Sequence, residues 1–338
     1  MKLSVIIPVY NAEKYIQETI ESVYAQEIAD MEVICVDDCS TDDSVRVIRE
    51  LQQAHDNLHL LQNTENHYAG FSRNRGIEAA AGEWIHFLDA DDLVAEGAYK
   101  KLLETAEKSG ADIVKGKGIG FSETGEPSYG GPLMELSKIP DKVFGKPFSF
   151  RKHPGVLTWV SVVPWNGIVR RKLLMDHDIR FNDLVCVNDR SFYNKSTMLA
   201  RSVVLIPEVI VRYRMQNGTS LMGRRARNFD CQIRSYEIVA DQLSRYNIPD
   251  PNRRTVLERE LTDLFYWYRR YRKLPEVSES VERQTKEFAE NLDMTPFEES
   301  DPQSEWMLTY RRVIGQERLP DKARRIQEGI IRRLRVHR

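Results

Sequence analysis

Leu3-Ser4-Val5-Ile6-Ile7-Pro8-Val9-Tyr10-Asn11 opens the chain with a β-branched run that stops at an aromatic and polar step. A run of this length and composition predicts a buried strand. Directly after it, Glu13–Gln26 places Tyr15, Ile16, Ile20 and Val23 on one face of a helix. The alternation continues outward. Glu32–Asp37 reads as a second strand, and Thr41 or Asp42 caps a helix through Val45, Ile48 and Leu51. Leu58–Gln62 is a third strand, followed by a helix over Ser72–Ala80 that stops at Gly82. Glu83–Leu88 is a fourth strand, Glu96–Lys108 a helix, and Ala111–Lys115 begins a further strand. This rhythm predicts an α/β fold, a mostly parallel sheet with helices on both faces.

Gly116–Lys152 is rich in Gly, Pro, Ser and Lys and reads as a loop or hairpin excursion over the sheet. Val156–Val163, the helical Arg170–His177 and Asn188–Leu199, and Val203–Arg212 continue the same domain. Beyond about Gly223 the pattern is helical only, over Ala226–Tyr246, Arg253–Arg272, Val277–Asn291 and Asp301–Ile314. A last helix covers Asp321–Val336. The expected organisation is an α/β domain over residues 1–221 and a helical C-terminal domain over 222–338.

The 338 residues carry 49 Lys+Arg against 51 Asp+Glu, a formal charge of −2. That balance lacks the basic surplus of a protein that coats nucleic acid, so no nucleic-acid partner is expected. Four cysteines in a chain this long make no disulfide framework. Cys35 and Cys39 have a spacing that suggests a metal clip, but no nearby His or Cys pair completes four ligands. They read instead as small fillers of a strand and its exit, in a reduced cytosol. The N-terminal run is too short and too β-branched for a secretion signal. Neither Val156–Trp165 nor Val203–Val211 approaches the ~18 apolar residues of a membrane span. The expected location is cytoplasmic, either soluble or peripheral on the cytoplasmic face of the membrane.

In open α/β sheets, ligands bind outside the carboxyl ends of the strands. Three polar clusters fall at those ends: Pro8-Val9-Tyr10-Asn11, Asp37-Asp38-Cys39-Ser40-Thr41-Asp42 and Asp89-Ala90-Asp91-Asp92. Their convergence on one rim carries the functional argument, because a single Asp after a strand is more often a helix cap. Asp89, Asp91 and Asp92 would repel one another unless a cation sat among them. A hard divalent ion, Mg²⁺ or Mn²⁺, takes such oxygens and leaves positions open for phosphate. The plain alternative is an N-cap at Asp92 and a solvated turn.

Taken together, Val5–Asn11, Val36–Asp42, Asn66 with Gly70-Phe71-Ser72-Arg73-Asn74-Arg75-Gly76, and Phe87–Asp92 resemble the inverting glycosyltransferases of family 2. The resemblance spans Met1 to Leu221 and implies the GT-A fold, a Rossmann-like sheet flanked by helices. It implies a nucleotide-sugar half over 1–115 and an acceptor half over 116–221. On this resemblance Pro8 and Tyr10 line the base pocket, with Tyr10 stacking near the nucleobase. Asp38 accepts the uracil N–H with support from Asp37, and Arg73 lies near base and diphosphate. Asp89 lies near the ribose and Asp91, with Asp89, holds the metal. Two departures stand out: Cys39 occupies a usual Gly position, and Ser72 a usual Ala position.

The resemblance also implies a general base opening a helix, and Asp189 in Asn188-Asp189-Arg190 matches it. Asn188 stands where the first acid of the pair is usual, and the alternative is that Asp189 merely begins a helix. Trp165 either stacks on an acceptor sugar or belongs to the core. Gly167 replaces a usual lysine. Arg212–Ser220 resembles the segment closing many of these domains, and Arg214 there would stabilise the departing diphosphate from a mobile loop. None of the seven histidines lies in that segment, so a histidine metal ligand seen in some relatives is missing or comes from elsewhere.

The tail is basic in patches: Arg224, Arg225 and Arg227, then Arg269, Arg270, Arg272 and Lys273 among aromatics. In Pro320–Arg338 seven Lys and Arg outnumber Asp321 and Glu328. With Ile326, Ile330, Ile331 and Leu334 on one face, this end reads either as a basic amphipathic helix for an anionic membrane or as a packed helix. The expected reaction is transfer from a UDP-sugar to a hydroxyl of a saccharide or lipid-linked saccharide, in bacterial surface-glycan synthesis. The alternatives are a sugar-phosphate nucleotidyltransferase, which wants a glycine-rich loop where Tyr10-Asn11-Ala12-Glu13 stands, and a non-catalytic nucleotide-sugar-binding protein. A dehydrogenase is disfavoured, since no G-x-G-x-x-G follows the first strand.

Overall fold

The computed structural model describes residues 2–122, 127–128, 139–155, 160–215 and 225–316. The opening run forms β1 (Leu3–Val9), buried except at Pro8, and Met31–Asp37 forms β2, buried throughout. Strands apolar on both sides need cover on both faces. It comes from α1 (Ile16–Tyr24), α2 (Ser44–Leu51) and α3 (Tyr68–Ala79). With β3 (Leu58–Gln62) and β4 (Trp84–Phe87), these strands make a parallel block in the order β3-β2-β1-β4.

The sheet then continues through β8 (Gly167–Arg170), β6 (Ile113–Phe121), β9 (Val203–Arg214) and β5 (Leu93–Val94), with β7 (Pro127–Ser128) on the side of β6. β8 runs antiparallel to both β4 and β6, and β5 antiparallel to β9, while β6 and β9 are parallel. The sheet is therefore parallel in its first block and mixed beyond it. Gly167–Arg170 is too short to show a period, so neither this strand nor its reversed direction is read in the sequence.

Gly167 explains one departure. A Cβ there would collide with the Val114 carbonyl oxygen and lie 2.8 Å from Lys115 Cα. The close approach of β8 to β6 thus demands glycine, and the lysine usual at this position in the resemblance has no room.

The first unit also contains α4 (Ala98–Ser109), α5 (Arg171–Asp176), α6 (Asp189–Leu199) and α7 (Asp230–Arg245). α4 stops at Gly110, which takes the left-handed conformation and returns its N–H to the Ala106 carbonyl. The main core gathers Val5, Ile7, Ile20, Trp84, Tyr99 and Ile168, among others, under α1 and α4. The polar rim described below is what the core leaves at the carboxyl ends of β1, β2 and β4.

The chain divides into two compact units, Met1–Arg259 and Glu260–Arg338, the division falling within α8 (Asn252–Tyr271). The second unit contains α9 (Ser278–Asn291) and α10 (Glu305–Val313). It buries Leu264, Phe265, Val281 and Trp306, with the Phe297 and Trp306 rings 5.1 Å apart. Among the described residues, no helix is long and apolar enough to cross a membrane. The basic helix expected over Asp321–Val336, the boundary expected at Leu221, Arg224, and the first half of Val156–Val163 lie outside the described residues.

Candidate active site

The ends of β1 and β2 are stitched together by short polar residues. Asn11, at φ 50°, accepts the Thr41 N–H at 2.8 Å, and Ser40 Oγ accepts the Asn11 N–H at 2.9 Å. Glu13 and Asp42 repeat the exchange: Asp42 accepts the Glu13 N–H at 2.9 Å and Glu13 accepts the Asp43 N–H at 2.8 Å. Tyr10, at the end of β1, is left 43% exposed, while Pro8 is half-buried.

Asp37 and Asp38 are both buried. Asp37 receives only long contacts from the Ser40 N–H, at 3.3 and 3.4 Å. Asp38 is tied much more firmly. Its carboxylate accepts the N–H groups of His67 and Tyr68 at 2.9 and 2.7 Å and the Asn63 amide at 2.5 Å. Three donors on one carboxylate leave about one of its roughly four lone-pair sites for a ligand. Asp38 therefore anchors the N-terminus of α3 in this structure, a structural duty that the sequence reading did not assign to it.

Cys39 keeps the conformation of the glycine it replaces, with φ at 64°. Its thiol donates to the Asn63 carbonyl at 3.3 Å. A left-handed non-glycine residue costs roughly 1–2 kcal/mol. Cys39→Gly and Cys39→Ala both lose the thiol, but only glycine relieves the strain. We expect the glycine variant to be the more stable by about 1 kcal/mol in thermal or urea unfolding. An alanine variant equal to or better than the glycine variant would show that the turn carries no strain.

The acidic turn after β4 is held by Thr19, whose hydroxyl donates to the Ala90 carbonyl at 3.0 Å, and by the Asp92 N–H on the Asp89 carbonyl at 3.1 Å. Arg73, on α3, donates to Asp89 Oδ1 at 2.6 Å and to Asn188 Oδ1 at 3.2 Å, and lies over the Phe181 ring at 5.2 Å. Its Nε–H is buried and has no hydrogen-bond partner among the described residues. Asp92 is fully buried. One of its oxygens accepts the Arg214 N–H at 2.9 Å, and Oδ2 has no partner among the described residues. Burial, then the charges of Asp89 and Asp91, hold its carboxyl well above the usual range.

Arg214 differs from expectation in its setting. It is the last residue of β9, not part of a mobile loop, and it is buried. Its Nε donates to the Asp91 carbonyl at 2.9 Å, and its guanidinium pairs with Glu18 at 2.6 Å above the Tyr15 and Phe121 rings. Next to it, burial and then the three nearby carboxylates push the Tyr213 hydroxyl up to about 12. Trp165 is buried in the main core, its ring stacked on Tyr213 at 5.7 Å, so of the two expectations for it the core one matches its placement. Its carbonyl accepts from His86 Nε2 at 2.7 Å. That bond sets the tautomer, so Nδ1 accepts the Tyr99 hydroxyl at 2.9 Å. Burial lowers His86 to about 4 and keeps it neutral, a core group and not a candidate ligand.

On the opposite side, Asn74 exchanges two 2.9 Å hydrogen bonds with the Phe181 backbone and so clamps α3 to the segment leading into α6. Gly70 permits this approach, since a Cβ would sit 2.5 Å from the Asn182 carbonyl oxygen. Asn188 is buried between Arg73 and the Leu184 carbonyl, and half-buried Asp189 opens α6 directly after it. Val187, just before them, has φ at 61°. That is an outlier for a β-branched residue, and strain of this kind clusters at functional sites.

The structure thus brings Arg73, Asp89 and Asn188 into contact, joins Arg214 to Asp91 and Asp92, and places Asp38 at the head of α3. A family model described as "Glycosyl transferase family 2" matches residues 4–177, over half the chain. The chain belongs to glycosyl transferase family 2. EpsH of Bacillus subtilis strain 168 is 28% identical over 248 residues, 72% of this chain and 70% of that one. YibD of Escherichia coli K12, named a glycosyltransferase, is 34% identical over 181 residues, 53% of this chain and 52% of that protein. Among solved structures, S. aureus TarS 1–349 in complex with UDP-GlcNAc superposes with a TM-score of 0.70 at 22% identity, covering 88% of this chain and 83% of that one. This likeness shows the fold, GT-A, with a helical region after it. Membership in this transferase family removes the nucleotidyltransferase alternative.

Some residues that brace this rim are not legible in the sequence. Asn63 and Glu18 carry no motif signal, because they act through contacts across elements, to Asp38 and to Arg214. Among the described residues, no group of three or more His, Cys, Asp or Glu forms a metal cage. Asp89 and Asp91 offer oxygen donors only. This donor set fits a hard divalent ion that completes its shell from diphosphate and water.

Proposed function

We propose that this transferase moves a sugar from a UDP-sugar to a hydroxyl of a saccharide acceptor with inversion, Asp189 acting as general base. The observation that best supports this reading is Arg73, which joins the acidic turn at Asp89 to Asn188 and hence to the head of α6. One guanidinium reaches acceptors 16 and 115 residues further along the chain. TarS, crystallised with UDP-GlcNAc, is named a poly(ribitol-phosphate) beta-N-acetylglucosaminyltransferase, which favours a UDP-linked donor and a surface-glycan acceptor for this relative.

In the proposed reaction the acceptor oxygen bonds to the anomeric carbon as the bond from that carbon to the diphosphate oxygen breaks. The acceptor proton passes to an Asp189 carboxylate oxygen. Attack from the face opposite the leaving group converts an α-linked donor into a β-linked product. Tyr10 and Pro8 suit the base, Tyr10 as a stacking face. Asp37 and the remaining acceptor capacity of Asp38 suit the uracil N–H. The unpartnered Arg73 Nε–H suits a phosphate or ribose oxygen, and Arg214 braces the acidic turn through the Asp91 carbonyl. Asp91 and Asp89 would hold a Mn²⁺ or Mg²⁺ ion, whose contribution is to neutralise charge on the diphosphate.

The test is a panel of UDP-sugars, read as UDP release with Mn²⁺, with Mg²⁺ and after EDTA. We expect one or two donors to be turned over, EDTA to remove at least ~90% of the rate, and Mn²⁺ to restore it. Tight UDP binding with no turnover across the panel would instead support a non-catalytic binding protein.

A further inference from the structure

Lys115 is a charged side chain in the middle of the sheet. It lies on β6 between Gly167 of β8 and Leu205 of β9, and it is 5% exposed. Neither neighbour offers a counter-charge. Its ammonium donates to two backbone carbonyls, Ser161 at 3.3 Å and Val163 at 3.0 Å, and lies 4.4 Å from the centre of the Tyr193 ring. Tyr193 is on α6, one helical turn after Asp189. Arg259 of α8 also lies over that ring, 5.1 Å from its centre, and donates to Asn194 at 3.0 Å. Lys115 therefore ties three pieces together: the sheet, the Ser161–Val163 segment that leads into Trp165 and β8, and the helix that Asp189 opens.

We infer that Lys115 is a positioning residue for glycosyl transfer, its protonated side chain holding the Ser161–Val163 segment and α6 in the arrangement that presents Asp189 to the acceptor. The inference rests on the proposal that Asp189 is the base. All three partners of the ammonium, two carbonyls and an aromatic face, attract a cation. A neutral amine has two N–H groups and a lone pair, and the lone pair would be turned against a carbonyl or the ring. Deprotonation therefore loosens the clamp. The charged groups acting on Lys115 are Arg259 from α8 and Asp189 from α6. Burial first, then the charge of Arg259, lowers Lys115 to about 7, against a smaller opposing effect of Asp189. A cavity lined by Lys115, Val163, Phe192, Tyr193, Ser196 and Thr197 adjoins the side chain.

The experiment is the pH dependence of UDP release by the full chain, with UDP-glucose and UDP-N-acetylglucosamine as probes and water standing in for the acceptor. The wild type is expected to lose activity as pH rises through about 7. In Lys115→Arg, which stays charged, that basic limb disappears. In Lys115→Met, turnover below pH ~6.5 falls about tenfold and the limb is absent.

Unfolding does not mimic this loss. A lysine whose folded-state value lies below its unfolded one makes the unfolded chain bind more protons between those values. Its contribution to stability therefore rises with pH across the range in which activity falls.

A wild-type profile flat through pH ~8, a limb that persists in Lys115→Arg, or a Lys115→Met variant with wild-type turnover would each overturn the inference. The Asp189→Asn variant separates the two readings. If it is active, the base assignment fails. If it is inactive while the Lys115 outcomes are negative, the positioning role alone fails.

Discussion

Replacing Asp189 by asparagine is expected to lower kcat by ~10²–10⁴-fold, the range for removing a positioned proton acceptor. The substitution keeps the shape of the side chain and the start of α6. What it removes is the carboxylate proposed to take the proton from the acceptor hydroxyl. The groups proposed to hold the donor, Tyr10, Asp38, Arg73 and Asp89, sit on other elements, so KM for the UDP-sugar should stay within about threefold. A negative charge at the first turn of a helix contributes only ~0.3–1 kcal/mol, so the variant should fold and melt close to wild type. Steady-state kinetics with the donor found in the panel, alongside a melting curve, checks all three. Turnover near wild type would remove Asp189 from the mechanism. A large rise in KM without a fall in kcat would make it a binding group instead.

How far this site could be read beforehand depends on what each residue does locally. β1 begins and ends as its sequence suggests because a buried parallel strand is a continuous apolar run bounded by a polar turn; β3, an edge strand buried only at Leu58, shows itself by its leucines between turn residues. The acidic turn after β4 was legible because three carboxylates after an apolar run need an explanation. β5 was invisible, since Leu93–Val94 is too short to show a period. β9 runs on to Arg214 because its last residues pair with β6 as far as Phe121, a long-range contact without a local signature.

The side chains tell the same story. Cys39 could be flagged as a departure, but only its φ shows that the turn keeps a glycine conformation. Lys115 looked like an ordinary end to a strand. The one available signal was an ionisable residue inside Ile113-Val114-Lys115, where alternation in a two-sided sheet offers no solvent face. Arg73 was legible as a motif residue, and its hydrogen bond to Asn188 was not. That bond depends on α3 lying against the segment before α6, which Gly70 and Asn74 arrange.

That second bond makes Arg73 the site of the other large effect. Arg73→Met keeps the bulk of the side chain over Phe181 and deletes the guanidinium. Two acceptors lose their donor: Asp89, whose side chain is 32% exposed, and buried Asn188. Removing one partner of a fully buried ion pair costs about 3–5 kcal/mol. Because water reaches Asp89, part of that penalty is screened, and a loss of about 2–3 kcal/mol is expected in urea unfolding. Activity should fall further than stability alone explains, by at least ~10²-fold in kcat/KM, since the donor rim and the head of α6 lose their common anchor. Arg73→Lys separates charge from geometry. An ammonium can satisfy Asp89 but lacks the planar fork that reaches Asn188 as well, so stability should largely return while turnover stays low. If lysine restores both, the charge beside Asp89 is what matters, and the link to Asn188 is incidental. If neither variant changes turnover, the contact between the acidic turn and Asn188 is packing without a role in transfer.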